Sequence, residues 1–255
     1  MSLNFTKGKI IANVFNNENE KTKTIHYNED AKGEKIEKMR MPENEGYFFP
    51  ELENWTKTEQ VDRIYVTGET GTGKSSFIKS YVQHFISKFP KSPVLLFSSK
   101  KEDKALDDIK KIKRVEIDDD IYVNPYTLEE ISSNGKPVLV IFDDIEDFPN
   151  KKINKEVERL RDETLRNGRS YGIYSIFVHH NPCDYKSTRN QIFEANKVVI
   201  FPKRSGKGTY NYLLEKKLLL DKETIGYIND LKSNFVCINK VCPKTIISDK
   251  YILVV

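Results

Sequence analysis

The sequence predicts an α/β fold, a mainly parallel sheet between helices. Two observations carry that expectation. From Val61 onward, short apolar runs alternate with stretches of helical spacing, as strands joined by crossover helices do. In addition, Gly68-Glu69-Thr70-Gly71-Thr72-Gly73-Lys74-Ser75 is a complete phosphate-binding loop, set between an apolar run and a helical one.

The elements follow in order. The first 60 residues are polar and charged around one apolar run, Ile10 to Phe15, and are expected as a strand or hairpin with loops, stapled down by Tyr47-Phe48-Phe49-Pro50. They form an N-terminal extension, and 61–255 the core domain with a C-terminal β segment. Arg63-Ile64-Tyr65-Val66 reads as a buried strand, and 76–86 continue the helix that follows the glycine loop. Further strands are expected at 94–98, 115–117, 138–142, 174–178, 198–201, 235–239 and 245–255. Helices are expected at 102–112, 127–131, 153–166 and 210–220.

Bulk composition narrows the classes. The chain has 255 residues and a net charge of +4, which neither demands nor excludes nucleic acid. Three cysteines without a CxxC pair argue against a disulfide framework or a zinc site. No apolar run approaches membrane-spanning length, and the polar residues 1–9 are unlike a signal peptide, so a soluble intracellular protein without membrane contact is expected.

The chemistry begins at the loop. Glycines let backbone N–H groups turn inward around phosphates, and the helix that starts at Lys74 aims its N-terminal dipole at the same anion. Gly68, Glu69, Thr70, Gly71, Thr72, Gly73, Lys74, Ser75 and Ser76 are the ATP-contacting candidates. Lys74 is expected to reach the β/γ oxygens, and Ser75 to ligate Mg²⁺. The strand Val138 to Phe142 ends in Asp143 and Asp144, at the end where open sheets bind ligands. Asp143 is the metal candidate. Asp144 is placed to orient or deprotonate water, with Glu146 as fallback. The following strand ends in His179-His180-Asn181-Pro182. Neighbouring residues on a strand face opposite ways, so at most one histidine meets the nucleotide, and His180 or Asn181 is the sensor candidate. Arg166 and Arg169 flank Gly168 at a helix end. They are either ordinary dipole partners or a finger that reaches a neighbouring subunit's nucleotide.

Taken together, GETGTGKS at 68–75, VLLFSSK at 94–100, LVIFDD at 139–144, RNGRSYGIYSIFVHHNP at 166–182 and NQIFEANKVVIFPKRS at 190–205 resemble the FtsK–HerA superfamily of P-loop ATPases. The likeness is to the poxvirus-type genome-packaging ATPases of large DNA viruses and covers 61 to about 205. It implies a RecA-like (ASCE-type) P-loop NTPase fold, a homo-oligomeric ring (hexamer or pentamer), and ATP-driven translocation of double-stranded DNA. A capsid or portal protein is implied as a further partner, and the viral factory in host cytoplasm or the virion as the location. By position, Lys74 and Ser75 match the phosphate and Mg²⁺ residues, Asp143 the metal acid, Asp144 the catalytic acid, His180 the sensor and Arg166 or Arg169 the finger. Relatives commonly carry Glu where Asp144 stands, and many carry Gln where His180 stands.

DNA contact is expected from Lys100 and Lys101 after the second strand, and from Lys203, Arg204 and Lys207 after the last core strand. The function expected is an ATPase that packages viral DNA. The alternatives are another nucleic-acid ATPase, a helicase or loader, and an ATP-dependent assembly protein with little turnover.

Overall fold

A computed structural model describes residues 2–30, 35–133, 135–145, 148–184 and 188–255. The chain divides into two compact units, Leu52–Ala195 and Met1–Glu51 with Asn196–Val255. The division thus falls at 51/52 and 195/196, where the sequence suggests a single boundary near 60.

The N-terminal part contributes β1 (Ser2–Asn4), β2 (Lys9–Phe15), β3 (Lys21–Asn28), β4 (Lys38–Arg40) and β5 (Tyr47–Pro50). Four of these form an antiparallel sheet in the order β1-β3-β2-β5, more than the single hairpin expected. The aromatic staple is itself a strand. Phe48 and Phe49 are buried, and Tyr47 stacks on Phe15 at 5.3 Å between ring centroids.

The unit Leu52–Ala195 carries α1 (Trp55–Thr58), β6 (Arg63–Thr67), α2 (Lys74–Lys88), β7 (Val94–Ser98) and β8 (Ile112–Val115). After these come α3 (Asp120–Val123), α4 (Leu128–Ile131), β9 (Val138–Asp143), α5 (Lys151–Asn167), β10 (Ile173–His179) and α6 (Arg189–Glu194). Its strands run parallel in the order β6-β10-β9-β7-β8. Every residue of β9 and β10 is buried, the continuous apolar pattern of a sheet covered on both faces.

Register decides which side chains face the site. Phe97, Phe142 and Phe177 sit opposite one another on adjacent strands and stack at 5.3 and 5.5 Å. They pack with Ile153, Val157 and Leu160 of α5. On the other face Tyr174 meets Phe85 of α2 at 5.2 Å. Because side chains alternate, Asp143, one residue past Phe142, turns toward the α2 face.

A helix is absent at 102–112: residues 102–111 carry turns without helix, and Ile112 already opens β8, which lies at 112–115 where the sequence suggests 115–117. Asp103 explains the missing helix: its carboxylate accepts the backbone N–H groups of Ala105 and Leu106 and so competes with helical bonding. At 127–131 the expected short helix is present, started by a capping box in which Thr127 and Glu130 bond each other's backbone.

Gly172 closes the turn after α5 at φ +68, and a Cβ there would lie 2.8–2.9 Å from ring carbons of Trp55. We expect Gly172→Ala to cost about 1–3 kcal/mol through overpacking and left-handed strain. The control is Gly226, inside the helix Lys222–Asp230 with nothing within 4 Å of its added Cβ. There alanine should stabilise by about 0.5–1 kcal/mol. Thermal melting of the two variants checks both signs.

The remaining segment carries β11 (Lys197–Ile200), a π-type turn (Leu213–Lys217), α7 (Lys222–Asp230), β12 (Val236–Asn239), β13 (Thr245–Ser248) and β14 (Tyr251–Val254). The expected helix at 210–220 is thus mostly a π turn, and the expected run at 245–255 is two strands folded as a hairpin. β11, β12, β13, β14 and β4 pair antiparallel in that order.

Candidate functional site

The site lies at the carboxyl ends of β6, β10 and β9. β10, the strand that ends in the histidines, runs between the phosphate-loop strand and the acid strand. The loop leaves β6 after Thr67, and Gly68 N–H donates to the His179 carbonyl at 3.2 Å. Gly71 and Gly73 hold φ +81 and +116, values that favour glycine. Gly73 caps α2, whose first-turn N–H groups have no intrahelical acceptor and so suit an anion. Thr72 is buried and donates to the Glu69 carbonyl at 2.8 Å, which sets the loop's curve. Glu69, Thr70 and Ser76 are exposed.

Lys74 folds back along the loop. Its Nζ donates to the Gly68 carbonyl at 2.5 Å, the Glu69 carbonyl at 3.0 Å and His180 Nδ1 at 3.3 Å. Burial lowers its pKa, against the pull of Asp144 and Asp143. The carbonyls hold the ammonium at the loop's mouth.

The acids are tied to the same network. His180 Nε2 lies 2.6 Å from Asp144 Oδ1. A carboxylate only accepts, so Nε2 carries the proton and Nδ1 is left to accept from Lys74. Lys100 forms an ion pair with the other Asp144 oxygen. Burial pushes the Asp144 carboxyl up, but hydrogen bonds from Lys100 and His180 hold it below the usual carboxylate range. Asp144 sits at φ 51, a left-handed backbone that Asp tolerates better than most residues, with its carbonyl accepting from Ser99 Oγ. Asp143 behaves oppositely. Burial, and then the charge of Asp144, raise its pKa to about 6.

Lys100, a DNA-contact candidate in the sequence, pairs with Asp144 in the structure, because the register Ser98↔Asp143 sets the residues after β7 beside those after β9. Removing it has a signed consequence. We expect Lys100→Met to raise the Asp144 pKa and move the acid limb of any Asp144-dependent rate to higher pH, as a pH–rate profile would show.

Asp103 is a site residue that the sequence does not mark. Ser75 Oγ donates to Asp103 Oδ2 at 3.2 Å, which leaves the hydroxyl's lone pairs for a cation. Ser75, Asp143 and Asp103 make an all-oxygen set, which suits Mg²⁺. Among the described residues, no group of three or more His, Cys, Asp or Glu side chains is arranged to hold a metal. Mg²⁺ in general keeps waters and uses few protein ligands beside substrate phosphates.

His179 is not part of this network. It is buried, stacks on Tyr65 at 5.1 Å and bonds Gln191. Asn181 is exposed, and its backbone carbonyl accepts from Tyr65 OH at 3.2 Å. Arg166 and Arg169 lie where α5 returns to the start of β10, the end of the strand opposite the phosphate loop. Both are exposed, and Arg166 pairs loosely with Asp162 at 3.6 Å. Glu146 lies outside the described residues.

No known family profile matches the chain. Uncharacterized protein V3 of Sputnik virophage is 34% identical over 182 residues, 71% of this chain and 71% of V3. The chain belongs to the V3 family. Its fold is that of the RecA-like P-loop NTPases, a large, mostly parallel sheet with added antiparallel strands. The genome packaging NTPase B204 from Sulfolobus turreted icosahedral virus 2, in complex with ATPγS, aligns at TM-score 0.51 and 19% identity. That alignment covers 74% of this chain and 97% of B204. The pCW3 conjugation coupling protein TcpA, with ATPγS, aligns at TM-score 0.55 and 12% identity, covering 89% of this chain and 72% of TcpA. Among the described residues, no helix of this V3-family chain is long and apolar enough to cross a membrane.

Proposed function

We propose that this chain is an Mg²⁺-dependent ATPase that drives double-stranded DNA into a viral capsid, working as a homo-oligomeric ring. The observation that carries this reading is the linked row Lys74–His180–Asp144–Lys100, set beside the buried Asp143. It joins the phosphate loop, the sensor strand and the acid strand at one end of the sheet. B204, a genome packaging NTPase, supports packaging as the task, and TcpA, a conjugation coupling protein, fits the same reading. The virophage relative supports a viral setting; the factory or the virion as location, and a capsid or portal protein as further partner, are parts of the same proposal.

In this reading Lys74 leaves the Gly68 and Glu69 carbonyls for the β/γ oxygens of ATP. Ser75 and Asp143 would hold Mg²⁺, which would offset the phosphate charge there. Asp144 accepts the proton of the attacking water as its oxygen bonds to the γ-phosphorus and the bond to ADP breaks. His180, between Lys74 and Asp144, links the acid to the phosphate end. Arg166 or Arg169 of the next protomer supplies positive charge to the transferring group.

Steady-state ATP hydrolysis with and without duplex DNA tests the reading. We expect strong stimulation by blunt duplex. Turnover indifferent to DNA sinks the translocase, and greater stimulation by forked than by blunt ends favours a helicase.

A further inference from the structure

We propose that the cavity formed by β4, β14 and α7 binds the phosphate backbone of a nucleic-acid strand. The inference rests on the translocase reading and gives it a DNA contact outside the nucleotide site. The cavity measures about 550 Å³ and is lined by Lys38, Arg40, Lys232, Lys250, Tyr227 and Tyr251, among others. Its lining comes from residues 38–44, 227–233 and 250–251, so no single run of residues announces it.

The cations are held in place before any ligand arrives. Lys38 and Arg40 share one face of β4, and Arg40 lies opposite Tyr251 in the β4–β14 register. Lys38 Nζ stands 4.2 Å from the Tyr227 ring centroid and 5.7 Å from that of Tyr251, and Arg40 Cζ stands 5.8 Å from the Tyr251 centroid. The two rings meet edge to face at 6.0 Å. Lys250 Nζ is tethered to the Gly46 carbonyl at 3.1 Å. A cation already seated on an aromatic face loses less rotamer freedom on meeting a phosphate than a free one does.

Charge favours an anion. Of the cavity's two carboxylates, Glu43 pairs with Arg40 at 3.5 Å, and Asp230 accepts from Lys207 at 3.1 Å. That leaves Lys38, Lys232 and Lys250 without a carboxylate partner among the described residues. Lys207 belongs to the loop the sequence marked for DNA, so that loop and the cavity form one basic surface. The Tyr227 hydroxyl is buried without a hydrogen-bond partner among the described residues, and burial raises its pKa to about 12, so it remains a donor at neutral pH. The volume lies within the roughly 300–1,000 Å³ of small-molecule pockets, enough for a nucleotide unit and more than a lone phosphate needs.

The test is fluorescence anisotropy of a labelled duplex across a salt titration, on the full chain. Two variants are compared with the parent: the double Lys38→Ala/Arg40→Ala, and Lys232→Glu, at an exposed residue. We expect each to bind duplex on the order of tenfold more weakly, with a salt slope shallower by about one per cation removed. ATP binding and DNA-free turnover should not change, and Arg40→Lys should recover part of the loss. Parental affinity and slope in both variants overturn this inference and leave the translocase reading standing. So does displacement of duplex by polyglutamate at equal charge, which marks an acidic-peptide site. A parent that binds no DNA overturns both.

Discussion

Asp143→Asn should make the metal-free protein more stable while removing its Mg²⁺-dependent nucleotide binding. The Asp143 carboxyl is buried beside Asp144, and its pKa stands at about 6 against an ordinary 3.8. A raised carboxyl pKa means that the folded state binds the proton more tightly than the unfolded one. Stability from this group is therefore full below pH ~4 and is lost as pH rises through ~6. At pH 7.5 the folded protein carries a cost of about 3 kcal/mol, by the conversion of 1.36 kcal/mol per pH unit. Asparagine keeps the shape and removes the charge, so the melting temperature should rise by several degrees at pH 7.5. The gap between variant and parent should shrink as the pH falls toward 4. A bound dication offsets the same charge, so binding should suffer in the opposite sense. Loss of a ligand is expected to weaken Mg²⁺-dependent ATP binding by on the order of 100-fold or more, since even outer-shell losses cost 10–100-fold. Calorimetry with and without Mg²⁺ reads both effects. A variant that melts lower than the parent, or binds Mg²⁺ and ATP as tightly, contradicts the assignment.

How much of this site the sequence discloses depends on whether its chemistry is local. The phosphate loop is one contiguous run whose glycines, lysine and serine act within a single strand–turn–helix, so all of it is legible. The paired acids are legible for the same reason, as the end of an apolar strand. His180 is separated from His179 by strand alternation alone, and the faces fall as that alternation requires. Lys100 and Asp103 are different. They enter the site through the pairing of β7 with β9, and a lysine-rich stretch hides them among similar residues. Asp103 also misleads, because its caps on Ala105 and Leu106 break a helix that the spacing of residues 102–112 suggests. The antiparallel strands after residue 196 are legible as β runs, but their hairpin at 249–250 and the pairing of β14 with β4 are not. Pairings between distant segments leave no periodic mark.

The second large effect is expected at Asp144. Asp144→Asn should lower ATP hydrolysis by about 10²–10⁴-fold, the range a positioned general base contributes, while ATP binding persists. The amide oxygen can still accept from Lys100 or His180, so the loop after β9 keeps its anchors, but an amide cannot take the proton from water. His180→Gln should cost less. Glutamine preserves a polar link toward Lys74 and Asp144, and loses only the ring geometry that aligns Nδ1 with the ammonium and Nε2 with the carboxylate. The order of the two effects carries the information. If Asp144 is the base, its variant is slow with or without duplex DNA, whereas His180→Gln retains measurable turnover that DNA still raises. If His180→Gln is the more damaging, the histidine does more than align the carboxylate, and the proton goes elsewhere than Asp144. Full turnover in Asp144→Asn moves the base to another acid, with Glu146 the candidate the sequence supplies. Single-turnover kinetics at saturating ATP separates these cases, because it reads the chemical step apart from product release.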